Sequence, residues 1–276
     1  DNSKETALTK IAHLDKYVGI PINITKGDYI DLYYIDLIQN SALSWVENFY
    51  LANEFEKKLL LNLFDGTQFN ITSDWPELFS IPKFYPYWLT GINAFYQHAS
   101  NFLTIPVSIS QEPLFDTGYP RSISYGALGS VIGREINRGF NPNGIKYDEY
   151  GNDIPFTIYS TASLNNYDDQ KQCFIDQYSS FVIENSNGDK IFVDGNATVN
   201  ENMADNAGLI AARLAWEKYN DMAVNDHNTL PSLNYTAKQL FWIGFSQSLC
   251  HVYRNDYYFD DNNAHLPSKY RVIGSL

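Results

Sequence analysis

Apolar residues recur at helical spacing through much of this chain of 276 residues. Residues 4–19 and 28–62 read as helices. The second stretch carries Leu32, Ile35, Leu37, Ile38, Leu43, Trp45, Val46, Phe49, Leu59, Leu60 and Leu63, mostly on one stripe. Pro76, Pro82 and Pro86 interrupt the pattern, so 64–90 reads as mainly loop. Short runs rich in β-branched and aromatic residues predict strands at Ile92–Tyr96 and Phe102–Ile109. A helix then runs to about Arg138, with Ala127, Leu128, Val131, Ile132 and Ile136 on one face. Ser122 or Ser124 is its candidate cap and Gly139 its stop. Turn formers fill 141–153. A hairpin is predicted over 181–193, where two apolar runs flank Asn187-Gly188. Helices follow over 200–219 and 236–253. Helices, a few strands and helices again predict an α+β fold, mainly α, with a small mixed sheet.

Composition narrows this only a little. Hydrophobic content of 44% and aromatic content of 16% imply a folded chain with a large core. No run of about 18 apolar residues exists, so nothing in this segment spans a membrane as a helix. The net charge of −13 is scattered along the chain, which disfavours nucleic acid as a partner and otherwise serves solubility. The chain starts at Asp1 with neither methionine nor signal peptide, and reads as part of a longer or processed protein. Sequons at Asn23, Asn70, Asn196 and Asn234 favour an extracellular or cell-surface glycoprotein. Cys173 and Cys250 could pair with each other or with cysteines outside this segment; spacing does not decide.

The chemistry concentrates at Arg134-Glu135-Ile136-Asn137-Arg138. With histidine in place of the two arginines this would be H-E-x-x-H, the zinc signature of a metallopeptidase helix. That motif needs two imidazoles one turn apart on one ion, and a glutamate as general base for the metal-bound water. Here the glutamate stands between two guanidinium groups. A guanidinium has five donors and no acceptor, so it cannot ligate zinc. Taken alone, this segment is an ordinary solvated helix face. Its surroundings change the reading.

Downstream lies Glu201-Asn202-Met203-Ala204-Asp205-Asn206-Ala207-Gly208, which resembles the third-ligand segment of the neprilysin and endothelin-converting-enzyme family of zinc endopeptidases. Other stretches resemble the same family in the same order: Ile92 to Tyr96; Ile105-Pro106 with Gln111 to Phe115; Ser124 to Phe140; Phe245-Ser246-Gln247 with Cys250 and Tyr253-Arg254; and His265 to Gly274. The likeness runs from about residue 91 to 276, with 1–90 as a mainly helical lead-in to a single lobe. It implies a thermolysin-like catalytic lobe, 91–276 being its core and the chain a fragment of a longer protein.

The resemblance also implies roles. Glu135 would be the general base and Glu201 the third zinc ligand. Asp205 would orient the first histidine. Asn93 and Ala94 would hold a peptide backbone by strand-like pairing. His265 would stabilise the oxyanion, and Arg271 would bind a substrate carbonyl or stabilise the site. Two imidazoles are lost, at Arg134 and Arg138, and Asn141-Pro142 stands where the family has two aspartates. Cys173 and Cys250 would each pair with cysteines outside this segment or in another chain. His13, His98, His227 and His251 have no partner spacing and read as structural or surface residues.

The reading is a catalytically inactive homologue that needs no zinc or other cofactor. It would bind peptides or act as a structural or assembly subunit outside the cell. The alternatives are an active zinc endopeptidase with a borrowed ligand set and a purely structural protein with a filled cleft. If the metal is gone, Arg134 and Arg138 supply its two positive charges. They are then expected to pair with Glu201, Asp205 or Glu135 at about 2.7–3.2 Å.

Overall fold

A computed structural model describes residues 2–19, 42–51, 54, 91–184, 188, 190–222, 229–252 and 264–276. The chain divides into two compact units, Asp1–Val18 with Gly91–Leu276, and Gly19–Thr90. In the second unit, residues 45–51 are helical. Ser44 opens that turn: its Oγ accepts the Glu47 N–H at 3.3 Å, and Glu47 Oε2 accepts the Ser44 N–H at 2.7 Å. Trp45 stacks on Phe49 with centroids 5.3 Å apart. The rest of the helix predicted over 28–62, the loop predicted over 64–90, Asn23 and Asn70 lie outside the described residues.

The first unit holds the site. Helix α1 (Ser3–Ala12) is shorter than predicted, because the chain turns after His13 into strand β1 (Asp15–Gly19). The Lys16-Tyr17-Val18 run suits a strand, and a neighbouring strand is at hand to take it. Strands β2 (Phe95–Gln97) and β3 (Phe102–Pro106) pair antiparallel, Phe95 opposite Thr104, and the sheet order is β1-β3-β2. Both predicted strands are thus trimmed: Ile92, Asn93 and Ala94 precede the ladder, and Val107–Ile109 form a 3-10 turn beyond Pro106.

Next comes one continuous helical rod in three parts: α2 (Arg121–Ser124), a π-turn (Tyr125–Gly129) and α3 (Ser130–Asn137). Neither predicted serine caps it. Pro120 occupies the cap position, and Ser122 and Ser124 lie buried inside the helix. Helix α4 (Thr161–Ser179) was not predicted; Ser160 caps it by accepting the Ser163 N–H. Strands β4 (Val182–Glu184) and β5 (Lys190–Phe192) form the expected hairpin. Helix α5 (Gly195–Met222) starts five residues before its predicted bound, because the Asp194 carboxylate accepts the N–H groups of Asn196 and Ala197. Helix α6 (Ala237–Ser248) begins with a capping box between Thr236 and Gln239, and α7 (Ser268–Ser275) closes the chain.

Three apolar clusters hold these elements. Ala94, Leu103, Ile105 and Ile109 bind the sheet to the Val131, Ile132 and Ile136 face of α3. Leu209, Ala212 and Trp216 of α5 meet Phe241 and Phe245 of α6. Tyr178, Ile183, Val193 and Leu266 join α4 to the hairpin and the segment before α7.

Two devices set α3 in place. Gly133 of α3 and Gly208 of α5 face each other, and a Cβ on Gly208 would run into the Arg134 backbone. Backbone contact at that crossing brings Arg134 beside Glu201 and Asp205. Gly208→Ala is expected to force the helices apart and cost about 3 kcal/mol, the upper range for overpacking; a denaturant titration against the parent measures it. The second device is Lys10 of α1. Its buried Nζ donates to Gly139 O (2.9 Å), Gly144 O (2.7 Å) and Tyr147 O (2.8 Å), tying α1 to the turn that ends α3. Burial lowers the Lys10 pKa to about 8, opposed by the nearby Asp148 carboxylate.

Candidate functional site: an arginine–carboxylate cluster in a cleft

Arg134 and Arg138 lie one turn apart on α3 and point at the same residue of α5. Arg134 Nη2 donates to Glu201 Oε2 at 2.7 Å, and Arg138 Nη2 donates to Glu201 Oε1 at 2.5 Å. Arg134 Nη1 donates to Glu135 Oε1 at 2.9 Å. Its Nε sits 3.0 Å from Asp205 Oδ1, an ion pair without the alignment of a hydrogen bond. Arg138 Nε lies in the same way 3.4 Å from Glu135 Oε2. Arg271 of α7 grips Asp205 with two bonds, Nε to Oδ2 at 2.7 Å and Nη2 to Oδ1 at 2.8 Å.

Three guanidinium groups thus face three carboxylates. Glu135 is 2% exposed and Asp205 5% exposed, so unpaired charge here would be costly. Glu135 gains a further partner from the sheet, the Tyr96 N–H at 3.1 Å. Burial nonetheless pushes the Glu135 carboxyl above its usual range, against the pull of Arg134 and Arg138. Burial acts the same way on Glu201, but there the two arginines together prevail and hold the carboxyl below its usual range. Burial opposes the charge on Arg134 too, and Asp205, Glu135 and Glu201 more than offset it.

Glu201 therefore has a pH signature. Its folded pKa is depressed, so the stability it contributes is full above its ordinary value of 4.5 and is lost as pH falls through the folded value. Between pH 6 and 3 the parent is expected to lose more stability than Glu201→Gln, read from denaturant midpoints. The raised Glu135 carboxyl has the opposite slope in both proteins.

The cluster opens onto a cavity of about 360 Å³. Ile109, Leu114, Val131, Phe245 and Leu249 give it apolar walls; Asn93, Arg134, Asp205, His251, His265 and Arg271 give it polar ones. Asn93 is exposed, whereas Ala94 is buried in the sheet cluster and does not line the cavity. His265 Nδ1 stands 3.6 Å from Glu201 Oε2, and burial with three neighbouring arginines lowers its pKa despite Glu201.

The structure thus brings together Glu135, Asp205, His265, Asn93, Ala94, Arg271, Arg134, Arg138 and Glu201. It leaves Cys173 and Cys250 exposed and not bonded to each other, and Asn196 and Asn234 exposed. Asn141 is buried, and its Oδ1 accepts the Asn143 and Gly144 N–H groups, shaping the turn after α3. Three contributors had no motif to betray them: Lys10, the Tyr96 N–H and His251. His251 lines the cleft with its Nδ1 3.0 Å from Ser268 Oγ, and His98 holds Arg138 O at 3.1 Å. His227 lies outside the described residues. Among the described residues no group of three or more His, Cys, Asp or Glu is placed to hold a metal.

Residues 93–276 match the family model described as Peptidase family M13. Among curated proteins, the chain is 31% identical to "Membrane metallo-endopeptidase-like 1" of Mus musculus, over 100% of this chain and 34% of that protein. It is also 31% identical to an "Endothelin-converting enzyme homolog" of Locusta migratoria, over 99% of this chain and 35% of that one. The chain therefore spans about a third of the length of these relatives. Its fold resembles PepO from Lactobacillus rhamnosis, with a TM-score of 0.68 at 23% identity over 99% of this chain and 38% of that one. A zinc metalloprotease of Mycobacterium tuberculosis gives a TM-score of 0.70 at 23% identity, over 99% and 38%. A thermolysin-like, mainly helical lobe with small sheets is thus the architecture.

Proposed function

The chain belongs to Peptidase family M13, and we propose that it is a non-catalytic member, in which arginine has taken the place of the zinc ligands and a peptide-binding cleft remains. The family is zinc-dependent. Catalytic zinc takes three protein ligands and keeps one position for water. At the two helix positions this chain offers guanidinium groups with no lone pair to give. At the third position, both oxygens of Glu201 are held by those guanidinium groups. This donor set does not fit zinc, so no metal-activated water is assigned and Glu135, Asp205 and His265 have no hydrolytic role here. The observation that carries the reading is the Glu201 carboxylate, with each oxygen on a different arginine. Incubation of the full-length protein with a peptide mixture and added zinc is expected to give no cleavage above the no-enzyme control. Zinc-dependent, chelator-sensitive cleavage would defeat the reading and restore the active-peptidase alternative.

The cavity favours a binding role over a filled, purely structural cleft. Asn93, His265 and Arg134 line it, while Arg271 is committed to Asp205 and supports the site. A structural or assembly subunit remains compatible with the same absence of hydrolysis, and peptide binding separates the two.

The setting we assign is extracellular or cell-surface. Exposed Asn196 and Asn234 in sequons support glycosylation there, with Asn23 and Asn70 as further acceptors. Exposed Cys173 and Cys250 support disulfides to another segment of the same protein or another chain. Among the described residues no helix is long and apolar enough to cross a membrane.

A further inference from the structure

We infer that Arg134 is the group that holds a bound peptide in this cleft, by donating to an uncharged backbone carbonyl, and that the site therefore favours peptides without a free carboxylate at that point. The inference rests on the non-catalytic reading above and adds the ligand's chemistry to it.

Arg134 is 8% exposed, yet it is one of the residues lining the cavity. Its five N–H groups exceed what the carboxylates take. Glu135 and Glu201 accept one bond each from Nη1 and Nη2, and Asp205 neighbours Nε. Each terminal nitrogen thus keeps a second N–H, beside a cavity with room for a ligand. A buried donor of this kind gains from an acceptor that the ligand brings, because a hydrogen bond is stronger in a low-dielectric setting.

Charge selects the acceptor. The cluster is already balanced, with Arg134, Arg138 and Arg271 against Glu135, Glu201 and Asp205. Asp205 itself lines the cavity. An incoming carboxylate would add unbalanced negative charge next to Asp205 and lose its hydration. A peptide carbonyl accepts the same hydrogen bond without that cost. The apolar walls at Ile109, Val131 and Phe245 take a neighbouring apolar side chain, and exposed Asn93 offers a polar contact at the rim.

The test is calorimetric titration of the full-length protein with acetyl-Gly-Ala-Phe-Ala-amide and with the same peptide ending in a free carboxylate. The amide is expected to bind at least about fivefold more tightly, with the same affinity in excess chelator. Arg134→Lys keeps the charge but loses the planar fork, and is expected to weaken binding about tenfold. If that variant does not fold, the amide–acid comparison on the parent decides. No binding of either peptide, equal or tighter binding of the acid, or unchanged affinity in a folded Arg134→Lys protein overturns the inference and leaves the non-catalytic reading standing. Binding abolished by chelator, or cleavage of the peptide, overturns that reading itself.

Discussion

Exchanging Arg134 and Arg138 together for histidine is expected to convert a protein indifferent to zinc into one that binds it. The two positions lie one turn apart and both side chains reach Glu201. An imidazole is shorter than an arginine side chain, so the exchange leaves room between the helix and Glu201 for an ion. It also removes two of the three cations facing Glu135, Glu201 and Asp205, and the remaining negative charge attracts a dication. Arg271 stays on Asp205, which would then stand beside the first imidazole as an orienting partner. The apo variant should be less stable than the parent, and zinc should restore it. At a thousandfold excess over the dissociation constant that recovery is about 4 kcal/mol. Melting curves with and without zinc measure it: a large zinc-dependent rise for Arg134→His with Arg138→His, and none for the parent. A double variant whose melting ignores zinc would mean that Glu201 is not where a third ligand has to be.

Removing the shared carboxylate should be the most damaging single change in the cluster. Glu201→Ala takes from Arg134 and Arg138 the carboxylate that both hold by a short hydrogen bond, at a position 12% exposed. Arg134 keeps Glu135 and Asp205, while Arg138 keeps only a loose contact of 3.4 Å to Glu135. Leaving buried charge uncompensated typically costs about 3–5 kcal/mol, and a guanidinium denaturation curve gives the figure directly. Glu201→Gln should cost less, since it still accepts from a guanidinium and keeps the shape. Loss of under about 1 kcal/mol in Glu201→Ala would show that solvent already satisfies the arginines.

The site was legible from sequence where chemistry and spacing coincide. Arg134, Glu135 and Arg138 alone read as a solvated helix face and Glu201 and Asp205 as an acidic pair; it is through the resemblance to the zinc-endopeptidase family that their meeting in one cluster could be anticipated. The contributors that carry no pattern could not. Lys10 binds three carbonyls on loops more than a hundred residues away in sequence, and a lone lysine in an amphipathic stretch gives no hint of it. The Tyr96 bond to Glu135 is made by a backbone N–H, which every residue type but proline offers. Strand β1 lies inside a stretch that reads as helix, since Tyr17 and Val18 are too short a run to signal a strand without its neighbour β3. Helix α4 was missed because its apolar stripe is thin: Leu164, Tyr167, Phe174 and Tyr178 repeat at helical spacing among many polar residues. Ser160 before that stripe was the signal that could have found it. The serine caps expected for the α2–α3 rod failed for a different reason: Pro120 already fixes the start, and the serines are packed inside.

The central claim is that guanidinium groups stand where a metal would be needed. Elemental mass spectrometry of the purified full-length protein tests it most directly, before and after incubation with zinc and dialysis. The account predicts zinc far below one per chain in both samples. One zinc retained per chain would contradict it.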